Sequence, residues 1–351
     1  MKQLLVLFLL GTTTFFGYHQ PLSHSKKIPE KIHVTLLPSP APLTALQPSG
    51  LFVPYWTLNG KTLPNQYNPI IYFGITATVN GIDITEDGYK NLHVFLHTVP
   101  TGATKLLTVR LLTQDINETL LHKRALQQTI ISQAIQTAQA NGFTGIVVDF
   151  EYNALAFPDV VATVSSFIKN FALQTHSAHL LYYEALYGDT FYRLRPYDVG
   201  TIGKTTDGIY VLAYDLHKAN GDPGPAFPLV SSIDYTFNQM IQDFSRRVPA
   251  GKITVIFGRF GYDWPVDHLG KSTAQAVTYT DNEIQQLFLS HCAFQGCSVA
   301  KTMTGIQIRY TDAAGKQHEV WFDDEVIRAQ KEKLLLKNGI SSVAQWGYSY
   351  F

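Results

Sequence analysis

The stretch Gly142-Phe143-Thr144-Gly145-Ile146-Val147-Val148-Asp149-Phe150-Glu151 constrains this chain most. It is short, apolar and ends in two carboxylates. Side chains alternate faces along a strand. Val147, Asp149 and Glu151 therefore share one face, and Ile146, Val148 and Phe150 share the other. An apolar face that helices can cover, with acids at the end of the opposite face, suits a parallel barrel strand whose C-terminal end opens on a cleft. Carboxylates two residues apart stand roughly 6–7 Å apart along such a strand. Both could reach one bound sugar linkage. The same residues also suit a strand that stops at a solvated acidic pair.

The flanking sequence supplies partners for a barrel strand. Residues 51–56, 69–75 and 105–111 read as the first three strands, with a short strand or hairpin arm at 93–96. Residues 122–141 have helical spacing, with Leu126, Ile130, Ala134, Ile135 and Ala138 near one face. Asn141-Gly142 ends that helix, because both residues tolerate a left-handed cap. Residues 158–174 and 325–338 read as further helices, the latter capped by Asn338-Gly339. Residues 179–184, 207–215, 252–258 and 340–346 complete the strands. Between 266 and about 320 the rhythm gives way to polar turns and alternating stretches such as Gly305-Ile306-Gln307-Ile308-Arg309-Tyr310. The expected fold is α/β: a (β/α)8 TIM barrel over 49–351, with a small α+β insertion between the seventh strand and the last helix. A chain of 351 residues that is 45% hydrophobic can bury a core of that size.

Other features bound the function. The formal net charge is zero, so nothing points to nucleic acid. The 12 histidines show no tight ligand spacing, and no metal or cofactor is expected. Residues 1–20 start positively and run into Leu4-Leu5-Val6-Leu7-Phe8-Leu9-Leu10, which fits a secretory signal peptide or an uncleaved N-terminal anchor. Residues 21–48 read as a Pro-rich tether. Cys292 and Cys297 form a small disulfide loop or remain two free thiols. Glu184 reads as a structural carboxylate or a cleft residue, and His318 as a surface or packing residue.

"GFTGIVVDFE" resembles the fourth-strand signature of glycoside hydrolase family 18, the chitinase-like enzymes, usually written DGxDxDxE. Asp149 and Glu151 match its last two acids, while Thr144 and Val147 stand where the first two are usual. Further stretches match in order across roughly 50–351. Tyr55-Trp56 ends a first strand similar to one whose aromatic residues help line the sugar cleft. Tyr214-Asp215 resembles the family's "YD" pair. "AYDLH…GDPGPAFPL", Arg259 to Pro265 and "GKQHEVWFDD" are similar to a branch containing bacterial spore-cortex and cell-wall N-acetylglucosaminidases. Trp346 matches the eighth-strand Trp that floors the sugar at the cleavage point.

The resemblance implies an exported, retaining glycosidase that acts as a monomer on β-linked N-acetylglucosamine polymers, either peptidoglycan or chitin-type glycan. It would be secreted or held at the cell surface, with the membrane involved only through an uncleaved N-terminus. Family 18 uses substrate assistance. Glu151 is then the general acid and base. Asp149 and Tyr214 orient the substrate's acetamide, and Asp215 helps hold the sugar. Tyr262 and Trp264 stack on sugar rings or fill core. The loss of acids at Thr144 and Val147 keeps a second reading open, a catalytically decayed sugar-binding protein on the same barrel.

Overall fold

The computed structural model describes Leu46 and residues 50–351, Ala293 excepted. The leader at 1–20 and the tether at 21–48 lie outside the described residues, apart from Leu46. In chain order the strands are β1 (Gly50–Pro54), β2 (Ile70–Thr78), β3 (Gly81–Ile82), β4 (Lys105–Leu111), β5 (Gly145–Phe150), β6 (Leu181–Tyr187) and β7 (Gly208–Leu212). Then come β8 (Ile253–Gly258), β9 (Phe260–Val266), β10 (Val277–Thr280), β11 (Gln295–Lys301), β12 (Ile306–Thr311), β13 (Gln317–Phe322) and β14 (Ser342–Trp346). The large sheet runs β1-β14-β8-β7-β6-β5-β4-β2-β3, and β1 also pairs with β2. That last pairing closes eight parallel strands into a barrel, with β3 as an antiparallel appendage to β2. The expected (β/α)8 barrel is the observed fold.

Alternation along each strand sorts the core into two layers. Phe52, Ile71, Leu106, Val147, Tyr210, Ile256 and Ala344 point inward and fill the barrel. Leu51, Val53, Ile146, Val148 and Phe150 point outward and pack beneath the helices. Burying each of the larger side chains contributes roughly 1.5–3 kcal/mol. The organising stretch behaves as its pattern demands, with Val147 and Asp149 on the inner face of β5. The helix Arg124–Ala140 delivers the chain into β5, and Gly142 takes the left-handed turn at φ 64°. Asn141 stays at φ −109°, so the glycine alone supplies the reversal.

Several elements differ from the sequence reading. Residues 93–96 lie in the helix Leu92–Thr98 rather than in a strand or hairpin arm. Its buried residues, Leu92, Phe95 and Thr98, are spaced by three, a pattern the four residues 93–96 are too short to reveal. Glu184 faces outward from β6, fully buried, and accepts a 2.7 Å hydrogen bond from the Tyr182 hydroxyl. It is a structural carboxylate, the first of its two expected readings, and does not line the cleft.

The insertion is a five-stranded antiparallel sheet in the order β10-β9-β13-β12-β11. It begins at Phe260, because the aromatic run after β8 turns directly into β9. Its own core packs Ile284, Phe288, Ile306, Ile308, Val320 and Phe322. Cys292 and Cys297 are bridged at its edge. The helix Glu325–Lys337 then leads back to β14.

Candidate active site

The end of β5 is clamped from two sides. Asn117, fully buried on the helix Gln114–His122, donates from Nδ2 to the carbonyls of Leu111 and Glu151, both at 2.7 Å. The Tyr197 hydroxyl donates to the Phe150 carbonyl at 2.5 Å and accepts from the Tyr152 N–H at 2.9 Å. The Glu151 N–H donates to the Leu111 carbonyl at 2.9 Å. Backbone groups that would lose ladder partners where the strand ends are thus satisfied by side chains. The carboxylates of Asp149 and Glu151 are presented from a fixed backbone.

They line a cavity of about 310 Å³ at the C-terminal mouth of the barrel. Its floor and walls are aromatic. Trp346 packs edge-on against Phe73, with centroids 4.6 Å apart, and lies 6.3 Å from Tyr214 at an interplanar angle of 28°. Tyr350 closes one side and accepts a 3.3 Å hydrogen bond from Nε1 of Trp56. Half of Trp56 remains exposed at the rim. Tyr262 on β9 and Thr278 on β10 bring the insertion sheet to the opening, so the insertion forms one wall. The Tyr262 hydroxyl donates to Asp215 Oδ1 at 2.7 Å. Asp215 itself sits at φ 61°, a left-handed conformation that Asp tolerates better than most residues.

Burial dominates the electrostatics. Asp149 is 6% exposed, and desolvation holds its carboxyl well above the ordinary range. The neighbouring Glu151 pushes it the same way, while Arg110 and Lys218 oppose the rise. Asp215 is pushed up to about 6 by burial, against the Tyr262 hydrogen bond and Lys218. The Tyr214 hydroxyl is raised by burial first and then by Asp215 and Asp149. Arg110 is the register partner of Asp149 on β4. Its guanidinium lies 3.2 Å from Glu86 and 5.0 Å from the centroid of Phe73.

The cavity brings together Asp149, Glu151, Tyr214, Asp215, Trp56, Tyr262 and Trp346. Two residues expected at the sugar face lie elsewhere. Trp264 is fully buried and does not line the cavity, so it offers no face for stacking. It follows Tyr262 by two residues and packs against that ring at 5.4 Å; the alternation gives the face but not the depth. Tyr55 also stands back from the cavity. Its ring abuts Trp56 at 5.0 Å, and its hydroxyl points to Glu86 at 3.5 Å. Arg110, Phe73, Tyr187 and Tyr350 also line the cavity and were not expected there. Arg110 alone had a signal, a cation one residue before the C-terminal end of a mostly apolar strand. Among the described residues no three His, Cys, Asp or Glu side chains could together hold a metal ion.

A closed parallel barrel with paired carboxylates at one strand end, above an aromatic floor, defines a TIM-barrel protein with a candidate site at the C-terminal mouth of its strands. The pattern of glycosyl hydrolases family 18 matches residues 117–350, and the chain belongs to that family. A cortical fragment-lytic enzyme of Bacillus subtilis (strain 168) is 22% identical over 240 residues, 66% of this chain and 52% of that protein. The chain spans between about half and two thirds of the length of three Bacillus subtilis relatives. The spore cortex-lytic enzyme SleL of Bacillus cereus superposes with a TM-score of 0.68 at 18% identity, over 87% of this chain and 71% of that one. A class V chitinase from Nicotiana tobaccum superposes with a TM-score of 0.72 at 14% identity, over 88% and 95%.

Proposed function

We propose that the protein is an exported, monomeric, retaining glycosidase that hydrolyses β-linked N-acetylglucosamine polymers of the cell wall by substrate assistance. The observation that carries this reading is the joint placement of Glu151, Asp149 and Tyr214 around a cavity floored by Trp346. In this scheme Glu151 protonates the glycosidic oxygen as the bond to the anomeric carbon breaks. The substrate's own acetamide oxygen attacks that carbon and forms a positively charged ring intermediate. Asp149 and Tyr214 hold the acetamide in line. Arg110 and Lys218 draw Asp149 toward its ionised form, and the positive intermediate adds to that pull. Glu151 then takes a proton from the water that opens the intermediate, which restores the starting configuration. The names of the cortex-lytic relatives favour a cell-wall glycan as substrate. Export rests on residues 1–20 alone.

The second reading, a sugar-binding protein that has lost catalysis, is favoured by Val147. It is fully buried inside the barrel, where the family signature carries an acid. One experiment separates the two. Purified protein is incubated with peptidoglycan and with chito-oligosaccharides, and products are read by mass. Turnover that disappears in Glu151→Gln, by roughly 10²–10⁴-fold with sugar binding retained, supports the glycosidase. Wild-type-like turnover in that variant removes Glu151 from its role. An inert wild type that binds sugar leaves the second reading.

A further inference from the structure

Beside the acidic cavity the barrel mouth holds a second recess of about 700 Å³. Three consecutive loops build it. The loop after β5 supplies Asn153, two residues beyond Glu151. The loop after β6 supplies Arg193 and Arg195, and the loop after β7 supplies His217, Lys218 and Asp222. Tyr187 joins the two cavities. It lines the acidic one, and its ring lies 3.8 Å from the Arg195 guanidinium and 4.2 Å from the Lys218 ammonium.

The charges of this recess do not cancel. Its lining holds three cations, Arg193, Arg195 and Lys218, and one carboxylate, Asp222. Asp222 is already engaged by Lys271 at 2.8 Å. Arg193 and Arg195 share the single buried carboxylate of Asp189, which leaves one guanidinium charge over. Arg195 is 8% exposed and is held further by Asn153 Oδ1. His217 stands 3.5 Å from Asp234. Among the described residues Lys218 has no carboxylate within ion-pairing distance. The cations are thus fixed by Asp189, Asn153 and an aromatic ring before any ligand arrives, and such preorganisation lowers the entropic cost of binding an anion.

An unsubstituted N-acetylglucosamine chain brings no charge to this recess. A cell-wall glycan does, because every second sugar carries a lactyl ether whose carboxyl is free or extends into an acidic peptide. Both sugars carry an acetamide; when the unsubstituted N-acetylglucosamine supplies the one used in catalysis, the neighbour across the cleaved bond is the lactyl-bearing sugar. We propose that this recess is a carboxylate-binding subsite that reads the acidic substituent of the sugar next to the cleaved bond. The proposal rests on the glycosidase reading for its placement and narrows the substrate to an acidic glycan.

Three probes test it: chitotetraose, a tetrasaccharide alternating N-acetylglucosamine with N-acetylmuramic acid, and the same tetrasaccharide bearing peptide stems. Binding is measured by calorimetry in the Glu151→Gln background, and turnover in the otherwise native protein. An acidic tetrasaccharide should bind at least about tenfold more tightly than chitotetraose. Lys218→Met should remove most of that preference and Arg193→Gln part of it, and raising the salt should weaken it. A preference for the bare acidic chain assigns the lactyl carboxylate, and one confined to the stem-bearing chain assigns the peptide's acids. Equal binding of all three probes, or binding of none, overturns the subsite. If Lys218 acted only through Asp149, Lys218→Met would change every substrate by one factor. An unchanged ratio therefore also overturns it. A preference without turnover leaves the subsite and removes the glycosidase reading; turnover without preference does the reverse.

Discussion

Asp215 lies in the cavity wall at a cost in stability. Burial holds its carboxyl at about 6, above the ordinary 3.8, so the folded state takes up its proton more readily than the unfolded chain. Its contribution to stability is fully present below the ordinary value and is lost as pH rises through about 6. At neutral pH the loss is on the order of 3 kcal/mol at most. Asp215→Asn keeps an acceptor for the Tyr262 hydroxyl and removes the charge. It should melt higher than wild type at about pH 7.5 and level with it near pH 4, while turnover falls at least about tenfold. Melting curves and rates at both pH values check this. At Val147, Asn would place an amide in the barrel interior, where the register partner Thr108 has a buried hydroxyl without a hydrogen-bond partner. Val147→Asn should change turnover by less than about tenfold and lower stability by about 1–3 kcal/mol. A large gain of activity over an inert wild type would instead mark a decayed enzyme. Asp149, Glu151, Tyr214 and Trp346 were legible because they end predicted strands. Tyr55 was placed at the cleft, and Trp264 was left between cleft and core, where it proves to fill core, because periodicity assigns a face and says nothing of what lies in front of it.

The terminus of β5 has to be both a strand end and a rigid mount, and Asn117 and Tyr197 supply the rigidity. Tyr197→Phe removes two hydrogen bonds to the segment flanking Glu151. The expected cost is about 1–3 kcal/mol of stability. Its kinetic signature should be a fall in kcat with KM for an N-acetylglucosamine oligomer little changed, since the acid is displaced and the sugar's other contacts remain. A variant with unaltered kcat would show that the clamp serves folding alone. These residues were illegible in the sequence for a physical reason. Asn117 lies 34 positions before Glu151 and Tyr197 lies 47 after Phe150, so only closure of the barrel reveals what they hold. The barrel strands were readable because buried parallel strands are continuous apolar runs. The helix at Leu92–Thr98 was not, because so short a run carries no period.

Across the whole molecule, a buried ion pair helps tie the insertion to the barrel. Lys331, fully buried on the helix Glu325–Lys337, meets Asp323 where β13 ends. Asp323→Ala leaves that ammonium unpaired and should destabilise the protein by about 3–5 kcal/mol, while an apolar replacement of both residues should recover much of the loss. Denaturant unfolding of the single and double variants checks this. A single residue, Arg259, separates β8 from β9. Its backbone N–H donates to the Trp346 carbonyl at 2.8 Å, and its guanidinium pairs with Asp281 at 2.9 Å and Glu325 at 2.7 Å. The junction thus ties the inserted sheet to the floor of the cleft and to the returning helix. The acids descend from one sheet and the outer wall from another, with their alignment set at this joint. Tyr262 and Thr278 can therefore be exchanged for other side chains, and the shape of the opening altered, without touching the strand that carries Asp149 and Glu151.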